Sequence, residues 1–174
     1  MVMGHWLQRW GRQLRHRFLE RDASHALPDD ARQRLAQAIA ASEARHSGQI
    51  RVYVESALPW SYIRRDAPAR ERAVMQFGKQ RVWDTEHNNG VLIYLLLTDH
   101  AIEIVADRAV SRCVSGPQWQ AMVDSLASEL RSGQYEKALL AAVGQVSRHL
   151  EQQFPRGAAP SAAGNELDDL PLIG

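Results

Sequence analysis

Residues 88–107 read Asn88-Asn89-Gly90-Val91-Leu92-Ile93-Tyr94-Leu95-Leu96-Leu97-Thr98-Asp99-His100-Ala101-Ile102-Glu103-Ile104-Val105-Ala106-Asp107. The Asn-Asn-Gly triplet is turn chemistry, because amide side chains and a residue without Cβ tolerate the backbone of a tight turn. Val91 to Thr98 is then apolar on both faces, which places it inside a sheet covered on both sides. Asp99-His100 is a second tight turn, and Ala101 to Asp107 follows as an antiparallel strand. That hairpin puts Asp107 beside Gly90.

Upstream, Gln49 to Glu55 alternates Ile50, Val52 and Val54 with Arg51, Tyr53 and Glu55, the period-two pattern of a strand with one buried face. Between these strands, Ser56 to Pro68 reads as a loop and Ala69 to about Val82 as a helix carrying Ala73, Val74 and Phe77. A crossover helix makes the two strands parallel. Pro28 with Asp29 and Asp30 announces an earlier helix whose stripe is Ala31, Leu35, Ala38, Ile39 and Ser42, ending before Ser47-Gly48. Downstream, Trp119, Met122, Val123, Leu126 and Leu130 form one helical stripe, and Tyr135, Leu139, Val143, Val146 and Leu150 another. Helices on both sides of a small mixed sheet give an α/β fold, a three-layer α/β/α sandwich.

The chain's 174 residues suit one domain. Lys+Arg 21 against Asp+Glu 20 gives no whole-molecule field to attract nucleic acid, so no nucleic-acid partner is expected. The charge is nevertheless uneven. Residues 1–21 carry Arg9, Arg12, Arg15, Arg17 and Arg21 against Glu20 alone, with Trp6, Trp10, Leu14 and Phe18 repeating at helical spacing. Residues 1–26 are thus expected to hold a basic amphipathic helix, residues 27–155 the α/β domain, and residues 156–174, rich at first in Ala, Gly, Pro and Ser, a flexible tail. No uninterrupted apolar run follows the basic start, and no stretch approaches ~20 apolar residues, so the expected location is the cytoplasm or the inner membrane face.

Phosphate-loop, nucleophile-elbow, zinc-helix and dinucleotide-turn motifs are absent from the sequence. A cysteine phosphatase loop built on Cys113 would want arginine at the position of Trp119. The seven histidines lack ligand spacing, and no organic cofactor is expected. The densest polar run is Trp83-Asp84-Thr85-Glu86-His87-Asn88-Asn89-Gly90. Hard cations take oxygen ligands from such loops, so Asp84, Glu86, Asn88 and Asp107 form a candidate metal set. Turn formation by the Asn-Asn-Gly, a cap at Asp84 and a Glu86–Arg108 pair account for the same residues without a metal. Glu55, Asp99 and His100 occupy the carboxyl end of the parallel strands, where open α/β sheets usually bind ligands. Trp60, Tyr62, Arg64 and Arg65 form an aromatic and basic loop.

The order of parts resembles the TPM domain, a module of thylakoid-lumen, animal and bacterial envelope proteins. The matching features are Ser47-Gly48-Gln49-Ile50-Arg51-Val52, Phe77-Gly78, Asn88-Asn89-Gly90-Val91-Leu92-Ile93, Val105, and Gly133-Gln134-Tyr135. The chain departs where many members carry a glycine-rich turn, having Ala106-Asp107-Arg108-Ala109-Val110 instead. The resemblance implies an α/β/α sandwich, calcium or another divalent ion at the loops, and the acid phosphatase activity of some members. Two functions follow as expectations. One is a non-enzymatic module that docks on an anionic membrane surface or an envelope protein partner through Trp6, Arg9, Trp10, Arg12, Leu14, Arg15 and Phe18. The other is a metal-dependent phosphatase.

Overall fold

The computed structural model describes residues 23–156 and 165–174. The basic segment with its Trp6 to Phe18 stripe and the Gly157 to Gly164 stretch lie outside the described residues. After the short α1 (Ala23–Ala26), α2 spans Asp29–Glu43. Pro28 precedes it in extended backbone, and Asp29 and Asp30 lie in the first turn, where they also pair with Arg32 and Arg34 at 2.9 and 2.8 Å. β1 (Gln49–Glu55) leads through α3 (Trp60–Arg64) and α4 (Ala69–Lys79) to β2 (Gly90–Leu96), and β3 (Ala101–Ala106) returns beside it. Four helices follow, α5 (Arg108–Cys113), α6 (Gly116–Ser125), α7 (Ala127–Arg131) and α8 (Tyr135–Gln153), and then β4 (Leu172–Ile173).

The sheet has four strands in the order β3-β2-β1-β4. β1 runs parallel to β2 with Gln49 opposite Gly90 and Glu55 opposite Leu96, and β3 runs antiparallel with Val91 opposite Ala106. Ile50, Val52, Val54, Val91, Ile93, Leu95, Ile102 and Ile104 pack on one face against α1, α2 and α5 to α8. Tyr53, Leu92, Tyr94, Leu96 and Val105 pack on the other with Ile63, Ala69 and Ala73 of α3 and α4. These are the three layers of an α/β/α sandwich. Burying each large apolar side chain contributes about 1.5–3 kcal/mol, so the double-sided β2 is the main anchor of the fold.

Three local expectations are corrected. Every residue of β1 is buried, including Gln49, Arg51 and Glu55, because polar groups from distant segments cover its second face. The Ser56 to Pro68 stretch is not all loop: Pro59 stands before α3, and Ile63 carries that helix into the core. Where the chain departs from the family's glycine-rich turn, at Ala106 to Val110, Asp107 caps α5 and Val110 is buried. A tail from residue 156 is not what residues 165–174 form, as Leu172 and Ile173 pair parallel with Tyr53 and Val54.

Candidate functional site

Two tight turns in series deliver the chain from α4 to β2. Arg81 adopts φ 55° and donates its N–H to Gly78 O at 3.1 Å; Asn88 adopts φ 52° and donates to Thr85 O at 3.1 Å. The Thr85 hydroxyl accepts the Asn89 N–H at 3.1 Å. Within the Asp84 to Asn89 run, Thr85 thus stabilises the turn through its own side-chain oxygen.

The hairpin brings the end of β3 to this corner. Asp107 N–H donates to Gly90 O at 2.9 Å, and Ala109 N–H donates to Asn88 O at 3.0 Å. Asp107 Oδ1 accepts the Arg108 N–H at 2.6 Å, which caps α5. The Arg108 guanidinium reaches back to Asn88 Oδ1 at 2.5 Å. Two oxygens here are buried without a hydrogen-bond partner among the described residues: Asp107 Oδ2 and Asn89 Oδ1. Burying an unmatched oxygen costs about 1–3 kcal/mol, so each calls for a ligand or water.

The four predicted metal residues divide into two pairs. Asn88 and Asp107 meet around Arg108. Asp84, half exposed and 3.9 Å from the Arg81 guanidinium, lines a cleft of about 280 Å³ with Arg51, Glu166 and Asp168. Glu86 is exposed, and its N–H donates to Glu166 Oε2 at 2.8 Å. Among the described residues no three His, Cys, Asp or Glu side chains group to hold a metal ion. A hard cation takes carboxylate and amide oxygens, and Asp107 Oδ2 and Asn89 Oδ1 each have that chemistry. The Asn89 side chain, however, donates to Ser47 Oγ at 3.3 Å on the β1 side of β2 while Asp107 stands at the end of β3, and Asn88 Oδ1 is already engaged by a cation of the protein itself. Sequence reasoning missed Asn89; its position beside Gly90, at the mouth of β2, is the signal that marks it.

The conventional end of the sheet is internally satisfied. Glu55 receives Arg72 Nε at 2.8 Å, Arg72 Nη2, and the Tyr94 hydroxyl at 2.6 Å. His100 Nδ1 lies 3.0 Å from both Leu130 O and the Tyr135 hydroxyl, with the two rings stacked at 6.0 Å. Trp60 is exposed, Tyr62 lies under Arg65 at 4.7 Å, and Arg65 pairs with Glu71 at 2.6 Å. Cys113 is exposed at the end of α5.

A family model of the TPM domain matches residues 21–149. The chain belongs to the TPM domain family. Its fold is similar to that of BA42, a protein of the psychrophilic bacterium Bizionia argentinensis solved by NMR, with a TM-score of 0.72 and 23% identity over 85% of this chain and 95% of that one. It is also similar to the N-terminal domain of a P. gingivalis protein solved in solution, with a TM-score of 0.59 and 19% identity over 74% of this chain and 79% of that one. No curated protein matches the sequence. The segments that carry the resemblance have physical work in this chain: Asn89 and Gly90 enter β2 at the crowded corner, Gly133 at φ 74° ends α7, and Tyr135 braces His100. No helix among the described residues is long and apolar enough to cross a membrane.

Proposed function

We propose that this TPM domain protein is a non-enzymatic interaction module that docks on an anionic membrane surface, at its cytoplasmic face, through residues 1–21. The carrying observation is the pairing of a Trp6, Trp10, Leu14, Phe18 stripe with five arginines, a composition that inserts aromatic rings at the lipid interface while guanidinium groups meet headgroups. Support comes from the domain: both faces of the sheet already carry helical layers built from Ala23 onward, with Ala23 and Leu27 buried against the core. Each arginine near an anionic surface contributes about 1 kcal/mol, screened over roughly 8 Å at physiological salt. Sedimentation with phosphatidylserine vesicles, lost on phosphatidylcholine vesicles and weakened by salt, is the expected result. Equal recovery on both lipids would contradict it, and binding to an envelope protein instead would redirect it.

A second reading is divalent-ion-dependent phosphoester hydrolysis, and the unpartnered Asp107 Oδ2 and Asn89 Oδ1 favour it. These two residues would hold calcium or another divalent cation, with Asp84 and Glu86 on the adjoining turn. A bound cation supplies polarisation of a phosphoryl oxygen. Metal-dependent turnover of a generic phosphomonoester, lost in Asp107→Asn and in Asp84→Ala, tests it; no turnover with calcium, magnesium or manganese would dismiss it.

A further inference from the structure

Residues 165–174 lie on the protein as a peptide lies in a groove. Gln49 Oε1 accepts the N–H groups of Glu166 and Leu167 at 3.0 and 3.1 Å. Arg51 donates to Asp168 O and stands 3.7 Å from its carboxylate, and Arg32 donates to Pro171 O at 3.3 and 3.2 Å. Leu172 and Ile173 then pair with Tyr53 and Val54, while Gly174 N–H donates to Val54 O at 2.9 Å and its carbonyl accepts Ser56 N–H at 3.2 Å. A Cβ at Gly174 would fall 2.0 Å from the Tyr53 hydroxyl, so this position takes glycine.

Main-chain bonds along a sheet edge with side-chain selection at alternate positions is the physics of β-strand addition. The selection is legible here. Arg51 faces an acidic residue, Leu167 and Leu172 pack on one face of the sheet, Ile173 packs on the other, and Tyr53 demands glycine. The attachment is also slight. The strand is two residues long, and of residues 165–174 only Pro171 is fully buried. A segment held at the surface mainly by polar contacts, with so little burial, opens at lower free energy than the core strands.

We propose that the outer edge of β1 is a docking groove for an extended peptide of a partner protein, with an acidic residue, then an apolar pair and a glycine, and that the chain's own residues 165–174 are its resident competitor. The proposal does not depend on membrane docking by residues 1–21, and vesicle binding can fail without touching it. Tethering holds the resident segment at an effective concentration on the order of 1 mM. With an intrinsic Kd of about 10 µM for the resident segment itself, a partner peptide of any affinity is weakened about 100-fold until the segment is released.

The test titrates a fluorescent peptide of residues 165–174 with the full chain and with a full chain carrying Leu172→Asp and Ile173→Asp. The released variant is expected to bind at least tenfold more tightly than the unmodified chain, and adding Arg51→Ala to it should cost at least tenfold. A peptide carrying Gly174→Val should not bind. Absence of binding by a folded released variant would overturn the proposal, as would its conversion to a dimer that excludes the peptide. If that variant does not fold, hydrogen exchange on the unmodified chain decides. The Gly174 amide should exchange at least 100-fold faster than those of Leu92 and Tyr94, and equal protection would make the segment a fixed strand.

Discussion

Tyr94 and Glu55 meet across the parallel strands β1 and β2, the phenol donating to Glu55 Oε2 at 2.6 Å while Arg72 grips the same carboxylate from α4. Burial, and then the neighbouring Glu55 charge, push the Tyr94 hydroxyl above its ordinary range, so it stays a donor. The trio fastens α4 to the second face of the sheet. Removing one partner of a buried ion pair strands the other, so Arg72→Ala should cost about 3–5 kcal/mol and Tyr94→Phe about 1 kcal/mol in urea unfolding. Arg72→Ala combined with Glu55→Gln should recover part of that loss.

Gly90→Ala should also be severe, for a different reason. Its Cβ would fall 2.0 Å from the Val82 carbonyl oxygen, and Val82 is fully buried backbone with nowhere to move. A loss of about 2–3 kcal/mol in unfolding free energy is expected, against near neutrality for Gly78→Ala, where a Cβ meets nothing within 4 Å.

Two buried groups at the start of β1 set opposite pH slopes. Burial pushes the Glu43 carboxyl from 4.5 up to about 8, and it pulls the His46 imidazole from 6.5 down to about 4. Folded Glu43 keeps a proton the unfolded chain releases, so its contribution is lost as pH rises from about 4.5 to 8. Folded His46 lacks a proton the unfolded chain takes up, so its contribution is lost as pH falls from about 6.5 to 4. The two slopes offset each other between about 4.5 and 6.5. From about pH 6.5 to 8 Glu43 acts alone, and stability should fall by about 2 kcal/mol at 1.36 kcal/mol per unit. Denaturation of Glu43→Gln, which retains an acceptor for the Ile50 N–H at 2.7 Å, should show that decline abolished.

How much of this was readable in one dimension depends on where each residue's partners lie. Val91 to Leu97 announced the double-sided strand because its apolar character needs no partner to be recognised. Asp107 beside Gly90 followed from hairpin geometry. Gln49, Arg51 and Glu55 looked like a solvent face because their partners, residues 166–168 and Arg72, lie far along the chain. α5 hid in a departure from the family pattern, although Asp107 is an ordinary cap residue. Asn89 was hidden by its neighbours: the same triplet that makes a turn also buries an amide oxygen without a partner.

Backbone NMR with calcium, magnesium and manganese tests those orphaned oxygens. At least one ion should move the amide resonances of Asn89, Gly90 and Asp107 together, and Asp107→Asn should remove the response. Loss of the cap by Asp107→Ala should separately cost about 1 kcal/mol. A flat titration with all three ions would leave the corner as turn and cap chemistry.

The interaction-module account is tested most directly by comparing the full chain with one beginning at Asp22 for sedimentation on phosphatidylserine vesicles at low and physiological salt. Strong, salt-weakened binding of the full chain and none by the shortened one is the predicted result. Equal sedimentation of the two chains would contradict it.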